Sequence, residues 1–217
     1  MPTPATEDYL KAIYKLIENF EVASTNAVAD RMGVSAASVT NMMKRLSEMG
    51  LVEYRPYQTI TLTPPGKKIA LEIIRHHRLL EVYMAEALGF TWDKVDAEAE
   101  RLEHVISEEF EDKIDALLGY PTTDPHGAPI PAKDGSIVNP QHDRLTEIDP
   151  GNTVVIRRVI NTDPALLRYL ATLDLRPNKQ VAVLKKEPFE GPLSLDINGQ
   201  NLHVGYQVAN KVLVESL

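Results

Sequence analysis

Apolar residues recur at helical spacing at Tyr9, Leu10, Ile13, Tyr14, Leu16 and Ile17, which predicts an amphipathic helix from Glu7 to Phe20 with Thr6 as its N-cap. Ser24 and Thr25 open a short helix, Asn26–Met32, closed by Gly33. Ser35 caps a third helix that runs from Ala36 towards Met49 and stops at Gly50. The period then switches to alternation in LVEYR and TITLT around Pro56-Tyr57-Gln58, which predicts a β-hairpin. Helix, short helix, Gly-containing turn, helix and hairpin, in that order, predict a winged helix-turn-helix.

Beyond the break expected at Thr63-Pro64-Pro65-Gly66, apolar positions at Ile69, Ile73, Ile74, Leu80, Tyr83, Met84 and Leu88 predict a helix over Lys67–Leu88. A second long helix is expected from Trp92 to Leu118, ending at Gly119, with Trp92 as an anchor at its start. Its apolar face demands a partner surface, and two long helices after a winged helix suggest a dimerisation unit. Tyr120–Gly151 holds six of the fifteen prolines and reads as an irregular connector. Short β-runs follow in TVVIRRVI, QVAVLKK, PLSLDI and LHVGYQVANKVLVESL, with a helical piece at Pro164–Leu173. They predict a small SH3-like barrel. The expected fold is mainly α with β: a winged helix-turn-helix over 1–64, a helical domain over 65–140 and a C-terminal SH3-like β-barrel over 141–217.

Charge sharpens this division. The net charge is −8, yet residues 1–75 carry 9 basic and 8 acidic groups, residues 76–145 carry 6 and 15, and residues 146–217 carry 8 and 8. All the excess acid therefore lies in the middle third. Cysteine is absent, which removes disulfides, thiolate ligands and a Cys nucleophile. The N-terminus lacks the pattern of a signal peptide and no apolar run approaches a membrane span, so a cytoplasmic protein with no membrane partner is expected.

In a helix-turn-helix the second helix enters the major groove through its N-terminal half. Here Ser35, Ala37, Ser38, Thr40 and Asn41 occupy that half. Asn can bond an adenine edge with two hydrogen bonds, hydroxyls serve base or phosphate, and methyls meet thymine. Lys44, Arg45 and Arg55 are candidates for phosphate contacts. Double-stranded palindromic operator DNA, read by a homodimer, is the expected partner. In the acidic third, Glu100, Glu103 and His104 share one stripe if KVDAEAERLEH is helical, and His77 and Glu81 stand at i, i+4 on the preceding helix. Such a stripe repels itself unless a cation sits within it. His76 points away from His77 and is expected at the surface or in dimer packing, and His142 and His203 have no nearby donors. No P-loop, dinucleotide fingerprint or Ser/His/Asp order appears, and no His has a Glu three residues before it as di-metal helical-bundle enzymes require. An enzyme, or an organic cofactor, is not expected.

TEDYLKAIYKL, the winged helix, HHRLLE, KVDAEAERLEH, DPHGAPIP and the terminal β-module, in this order over essentially the whole chain, resemble the three-domain form of the diphtheria-toxin-repressor family of metal-dependent transcriptional repressors. The resemblance implies a primary metal site at Asp8, His77, Glu100, Glu103 and His104, and a secondary site at Glu81, Asp124, His126 and Asp163. It also implies an FeoA-type C-terminal domain. Carboxylate and imidazole donors without sulfur suit Mn²⁺, so the chain looks like the manganese-responsive branch, with Fe²⁺ as the alternative effector. The implied role is repression of metal-uptake genes, metal locking the dimer in its DNA-binding conformation. Lys11, where some short manganese regulators of the family carry Glu, argues against a second ion beside the first. A winged-helix regulator with a non-metal effector is the remaining reading.

Overall fold

The computed structural model describes residues 2–19, 22–56, 58–138, 140–160 and 163–217. The chain divides into two compact units, one of residues 1–76, 103–105 and 131–136, the other of residues 77–102, 106–130 and 137–217.

The first unit begins with α1 (Pro4–Glu18), α2 (Thr25–Met32) and α3 (Ala36–Glu48). The cap of α1 is Thr3 rather than the expected Thr6: Thr3 Oγ1 accepts from the Thr6 amide at 3.3 Å, and Thr6 is buried inside the first turn. Pro4 explains the earlier start, because its missing N–H costs nothing at the first helical position and its φ is already helical. Phe20, the expected end of the helix, and Tyr57, in the expected turn, lie outside the described residues. Gly33 closes α2 in the left-handed conformation at φ 65°, and Ser35 caps α3 by accepting from the Ser38 amide. Leu10, Ile13, Val28, Val39, Met43 and Leu46 are fully buried between these helices. The hairpin is shorter than the alternation suggests: β1 (Val52–Glu53) and β2 (Thr61–Leu62) pair antiparallel in register Val52 to Leu62 and Glu53 to Thr61. Chain between them forms a loop, not ladder.

α4 (Pro64–Glu86) begins at the very prolines expected to break the chain. Thr63 Oγ1 accepts from the Gly66 amide at 3.3 Å, and Pro64 and Pro65 fill the first helical positions, where no donor is needed. Gly66 is required by packing. A Cβ there would sit 1.9 Å from the Leu51 carbonyl oxygen.

In the second unit the helix expected over Trp92–Leu118 is two helices, α5 (Val95–Leu102) and α6 (Glu108–Leu117). Ser107 caps α6 by accepting from the Phe110 amide at 3.2 Å, and two β-branched residues, Val105 and Ile106, precede it. A serine whose hydroxyl binds a backbone amide starts a helix more readily than it continues one. The stripe of Glu100, Glu103 and His104 therefore does not lie on one helix, because Glu103 and His104 follow the last turn of α5. Leu79, Leu80, Val95, Ala99, Ile114 and Ile130 form the core beneath these helices.

The C-terminal module is one antiparallel sheet in the order β3-β8-β4-β5-β6-β7. Its strands are β3 (Asp143–Arg144), β4 (Thr153–Val159), β5 (Gln180–Lys186), β6 (Leu193–Ile197), β7 (Gln200–Val204) and β8 (Val212–Ser216). Near-continuous burial along β4 and alternating burial along β6 put Val154, Ile156, Leu193 and Leu195 into a core capped by Leu167 and Leu170 of α7 (Pro164–Thr172). A short α8 (Tyr206–Ala209) splits the last expected run in two. The connector expected to be irregular over Tyr120–Gly151 carries β3 and a 3-10 turn, Leu145–Glu147, near its end, and its proline-rich loop is tied down. Val159 donates to the His126 carbonyl at 2.9 Å, and a Cβ on Gly127, which has φ 86°, would sit 1.9 Å from the Arg157 carbonyl oxygen. Among the described residues no helix is long and apolar enough to cross a membrane.

Candidate metal centre

Residues 7, 8 and 11 of α1 point toward the dipeptide Glu103-His104. Their spacing, i, i+1 and i+4, places Glu7 and Lys11 on one face with Asp8 beside them. Glu7 Oε2 lies 2.6 Å from His104 Nδ1, and Asp8 Oδ1 lies 2.8 Å from His104 Nε2. Glu103 Oε1 is 3.5 Å from the same Nε2. Asp8, Glu103 and His104 thus offer two carboxylate oxygens and one imidazole nitrogen within 4.8 Å of one another. Lys11 Nζ holds both Glu103 oxygens, at 2.5 and 2.7 Å, in a pair that is almost completely buried. His76 is not at the surface as expected. It is buried, and its Nδ1 lies 3.0 Å from the Glu103 carbonyl oxygen, which fixes the backbone of the ligand-bearing turn.

The second unit holds the other expected ligands. His77 on α4 presents Nδ1 to Glu100 Oε2 at 3.8 Å, and Nε2 to Asp96 Oδ1 at 3.3 Å and Glu81 Oε1 at 3.6 Å. Asp96 is a candidate the sequence reading misses. It stands four residues before Glu100 on α5, hence on the same face, and that spacing is the available signal.

Glu81, Asp124 and His126 form a buried group whose donor atoms also fall within 4.8 Å of one another. Asp124 Oδ1 accepts from the His126 and Ala128 amides at 2.8 and 2.9 Å, a local turn that fixes the loop. His126 Nε2 sits 2.8 Å from the Trp92 carbonyl oxygen, which can only accept, so that nitrogen carries the proton. In the neutral imidazole the other nitrogen, Nδ1, then bears a lone pair. It is buried without a hydrogen-bond partner and faces Glu81 Oε1 at 3.5 Å. A buried nitrogen lone pair turned toward a carboxylate oxygen fits a cation at this point. Trp92 stacks on the His126 ring at 5.7 Å and lies under the Arg176 guanidinium. Asp163, the fourth expected member, is exposed and spends Oδ1 on the amides of Ala165 and Leu166 as the cap of α7. Among the described residues it joins no metal-competent group.

Of the other histidines, His203 is exposed beside Ser194, and His142 is half-buried with its titration pushed below the usual range by burial. Asp93 is held below the ordinary carboxylate range by a hydrogen bond from Thr91 and by Arg168, against the opposing effect of burial.

On the first unit, Ser35, Ala37, Ser38, Asn41, Lys44, Arg45 and Arg55 are all exposed, and Thr40 is half-buried with its hydroxyl donated to the Ala36 carbonyl. A groove of about 550 Å³ runs past Thr40 and Lys44, with Thr25, Asn26, Tyr54 and Gln58 among its lining residues. Its polar lining from α2 and the hairpin is not evident from the sequence pattern.

Comparison with known proteins follows this layout. Residues 1–60 match the family model described as iron dependent repressor, N-terminal DNA binding domain. Residues 63–132 match its metal binding and dimerisation domain, and residues 144–216 match an FeoA domain. The iron-dependent repressor IdeR of Mycobacterium leprae is 31% identical over 98% of this chain and 97% of that protein. A solved manganese-dependent transcriptional repressor in complex with manganese superposes with TM-score 0.92 at 38% identity, covering 98% of this chain and all of that one. The manganese regulator SloR superposes with TM-score 0.82 at 33% identity over the full length of both.

Proposed function

Because this chain belongs to the iron-dependent (diphtheria toxin) repressor family and is a metal-dependent transcriptional repressor, we propose that its effector is Mn²⁺ and that it represses metal-uptake genes as a homodimer on a palindromic operator. The observation that carries the choice of metal is the donor set. Asp8, Glu103 and His104, and with them His77 and Glu100, offer only carboxylates and imidazoles, in a chain with no cysteine. Oxygen-rich, sulfur-free sets suit manganese, and geometry and availability must then outweigh the higher intrinsic affinity of later metals. The likeness to a manganese-dependent repressor at 38% identity supports the same reading.

In this reading Asp8, His77, Glu100, Glu103 and His104 hold the regulatory ion, and Glu81, Asp124 and His126 hold a second, structural one. A bound divalent cation supplies the charge that offsets the carboxylates. The residues of the chain do the rest. Glu7 fixes His104 through Nδ1 so that Nε2 is aimed at the ligand set, and His76 pins the Glu103 backbone. Asn41 and the small side chains of α3 read base edges, while Lys44, Arg45 and Arg55 take phosphates. Leu88, Phe110 and Leu117, exposed apolar residues of the helical part, are available to the dimer.

A second reading, Fe²⁺ as effector, is favoured by the mycobacterial iron-dependent repressor at 31% identity. Anisotropy of a labelled operator, titrated with protein in EDTA, Mn²⁺, Fe²⁺ or Zn²⁺ under anaerobic conditions, separates the two. Half-maximal activation at lower free Mn²⁺ than Fe²⁺ is the expected result. The reverse order assigns iron, and binding indifferent to EDTA removes the metal effector altogether.

A further inference from the structure

We propose that Lys11 is a resident competitor for the regulatory metal, its ammonium holding the Glu103 carboxylate until a divalent ion displaces it. The inference rests on the reading of Glu103 as a ligand. Lys11 is 4% exposed and Glu103 is wholly buried, and the ammonium reaches both carboxylate oxygens, at 2.5 and 2.7 Å. An ionised carboxylate out of water needs a counter-charge, and here α1 itself supplies one.

The same helix supplies an acceptor to each ring nitrogen of His104, from Glu7 and Asp8. One turn of α1 therefore presents two anions to the imidazole and one cation to the neighbouring carboxylate. A divalent ion entering between Asp8, Glu103 and His104 meets this ammonium as a like charge on a shared ligand. Both oxygens of that carboxylate already accept from Lys11, so an ion bound there shares its ligand with a positive charge at close range. Loading thus exchanges a tethered single charge for a free double one. The cost of the exchange weakens the apparent affinity for metal and raises the concentration at which the protein responds. Lys11 sets the threshold of the sensor without being a ligand.

The test uses full-length protein, Mn²⁺ alone as the probe, and the variants Lys11→Gln, Lys11→Met, Lys11→Arg and Glu103→Ala. Isothermal titration should show Mn²⁺ binding at the Glu103-dependent site at least tenfold tighter in Lys11→Gln and Lys11→Met than in the native protein, and no tighter in Lys11→Arg. Thermal unfolding should show Lys11→Met less stable than native in EDTA, and a larger rise of its midpoint on adding Mn²⁺. Unchanged or weaker Mn²⁺ binding in both neutral variants, or a midpoint lowered equally in EDTA and Mn²⁺, overturns the proposal and leaves Lys11 a structural pair. Amine-selective labelling of the native protein probes the displacement without any substitution: Lys11 should label faster with Mn²⁺, and equal or slower labelling contradicts displacement. If Glu103→Ala binds Mn²⁺ as native protein does, the ligand assignment itself is what fails.

Discussion

His126 Nδ1 faces Glu81 Oε1 at 3.5 Å while its Nε2 sits on the Trp92 carbonyl oxygen at 2.8 Å. The second contact selects the tautomer of the neutral ring, in which the first is a meeting of two acceptors. Giving the nitrogen a donor should relieve that conflict. Glu81→Gln is expected to stabilise the protein in EDTA by on the order of 1 kcal/mol and to shrink the further stabilisation seen with Mn²⁺. Differential scanning calorimetry with and without metal measures both. A variant less stable in EDTA, with its metal response intact, would show that no cation belongs there.

The ligand-bearing turn makes a ranked prediction. Glu103→Ala and His104→Ala should abolish Mn²⁺-dependent operator binding. Glu7→Gln, which alters only the group holding His104 Nδ1, should lower metal affinity by roughly 10- to 100-fold. Asp163→Ala should cost about 0.5–2 kcal/mol of stability, as loss of a helix cap does, with the metal response retained. Anisotropy and thermal melts on the four variants check the order, and equal losses throughout would contradict it.

Much of this arrangement is legible in the amino-acid sequence, and the remainder has identifiable reasons to be hidden. Helical period and small capping residues locate α1, α2, α3 and α4, and short aliphatic and β-branched runs locate β4 to β8, while β3, two polar residues inside the expected connector, has no such run to show it. The break between α5 and α6 escapes the pattern because apolar positions keep the period across it, so only Ser107, one hydroxyl, marks the interruption. Thr63-Pro64-Pro65-Gly66 reads as a breaker in one direction and as a helix start in the other, and the Thr63 cap decides between them. The Lys11–Glu103 pair joins residues 92 positions apart. No periodicity reports a contact of that range, and a lysine on an acidic chain gives no hint that it will be buried. His76 departs from expectation for a related reason: its partner is a backbone carbonyl, which side-chain patterns do not show.

Recognition and attraction should separate cleanly on α3. Asn41→Ala is expected to cost about 1–3 kcal/mol on the cognate operator and to relax preference at one base pair, as loss of a bidentate base contact does. Lys44→Ala should weaken all sequences alike and reduce the slope of log K against log salt by about 1. Affinities at four salt concentrations on cognate and scrambled duplexes distinguish the two. A sequence-independent loss for Asn41→Ala would move base reading elsewhere on the helix.

Acid should weaken the second unit through His142. Burial disfavours its imidazolium, with Glu215 and Asp143 opposing and Arg157 and Arg158 reinforcing that effect, so its folded-state pKa lies below the ordinary 6.5. As pH falls through 6.5 the unfolded chain takes the proton first, and stability present above that pH is lost below it. Asp93 acts lower down: its folded-state pKa lies below 3.8, so its contribution is present above 3.8 and disappears as pH falls further. Unfolding midpoints at pH 7.5 and 5.5 should therefore fall more for the native protein than for His142→Gln. Identical falls would remove His142 from the account.

Metal control of DNA binding is the claim on which the functional account stands. Operator affinity of exhaustively demetallated protein, compared with the same sample reloaded with Mn²⁺ at constant ionic strength, tests it most directly. The account predicts specific binding only after reloading, with the demetallated protein reduced to weak, salt-sensitive, sequence-independent association. Equal affinity for the operator in the two samples would contradict it.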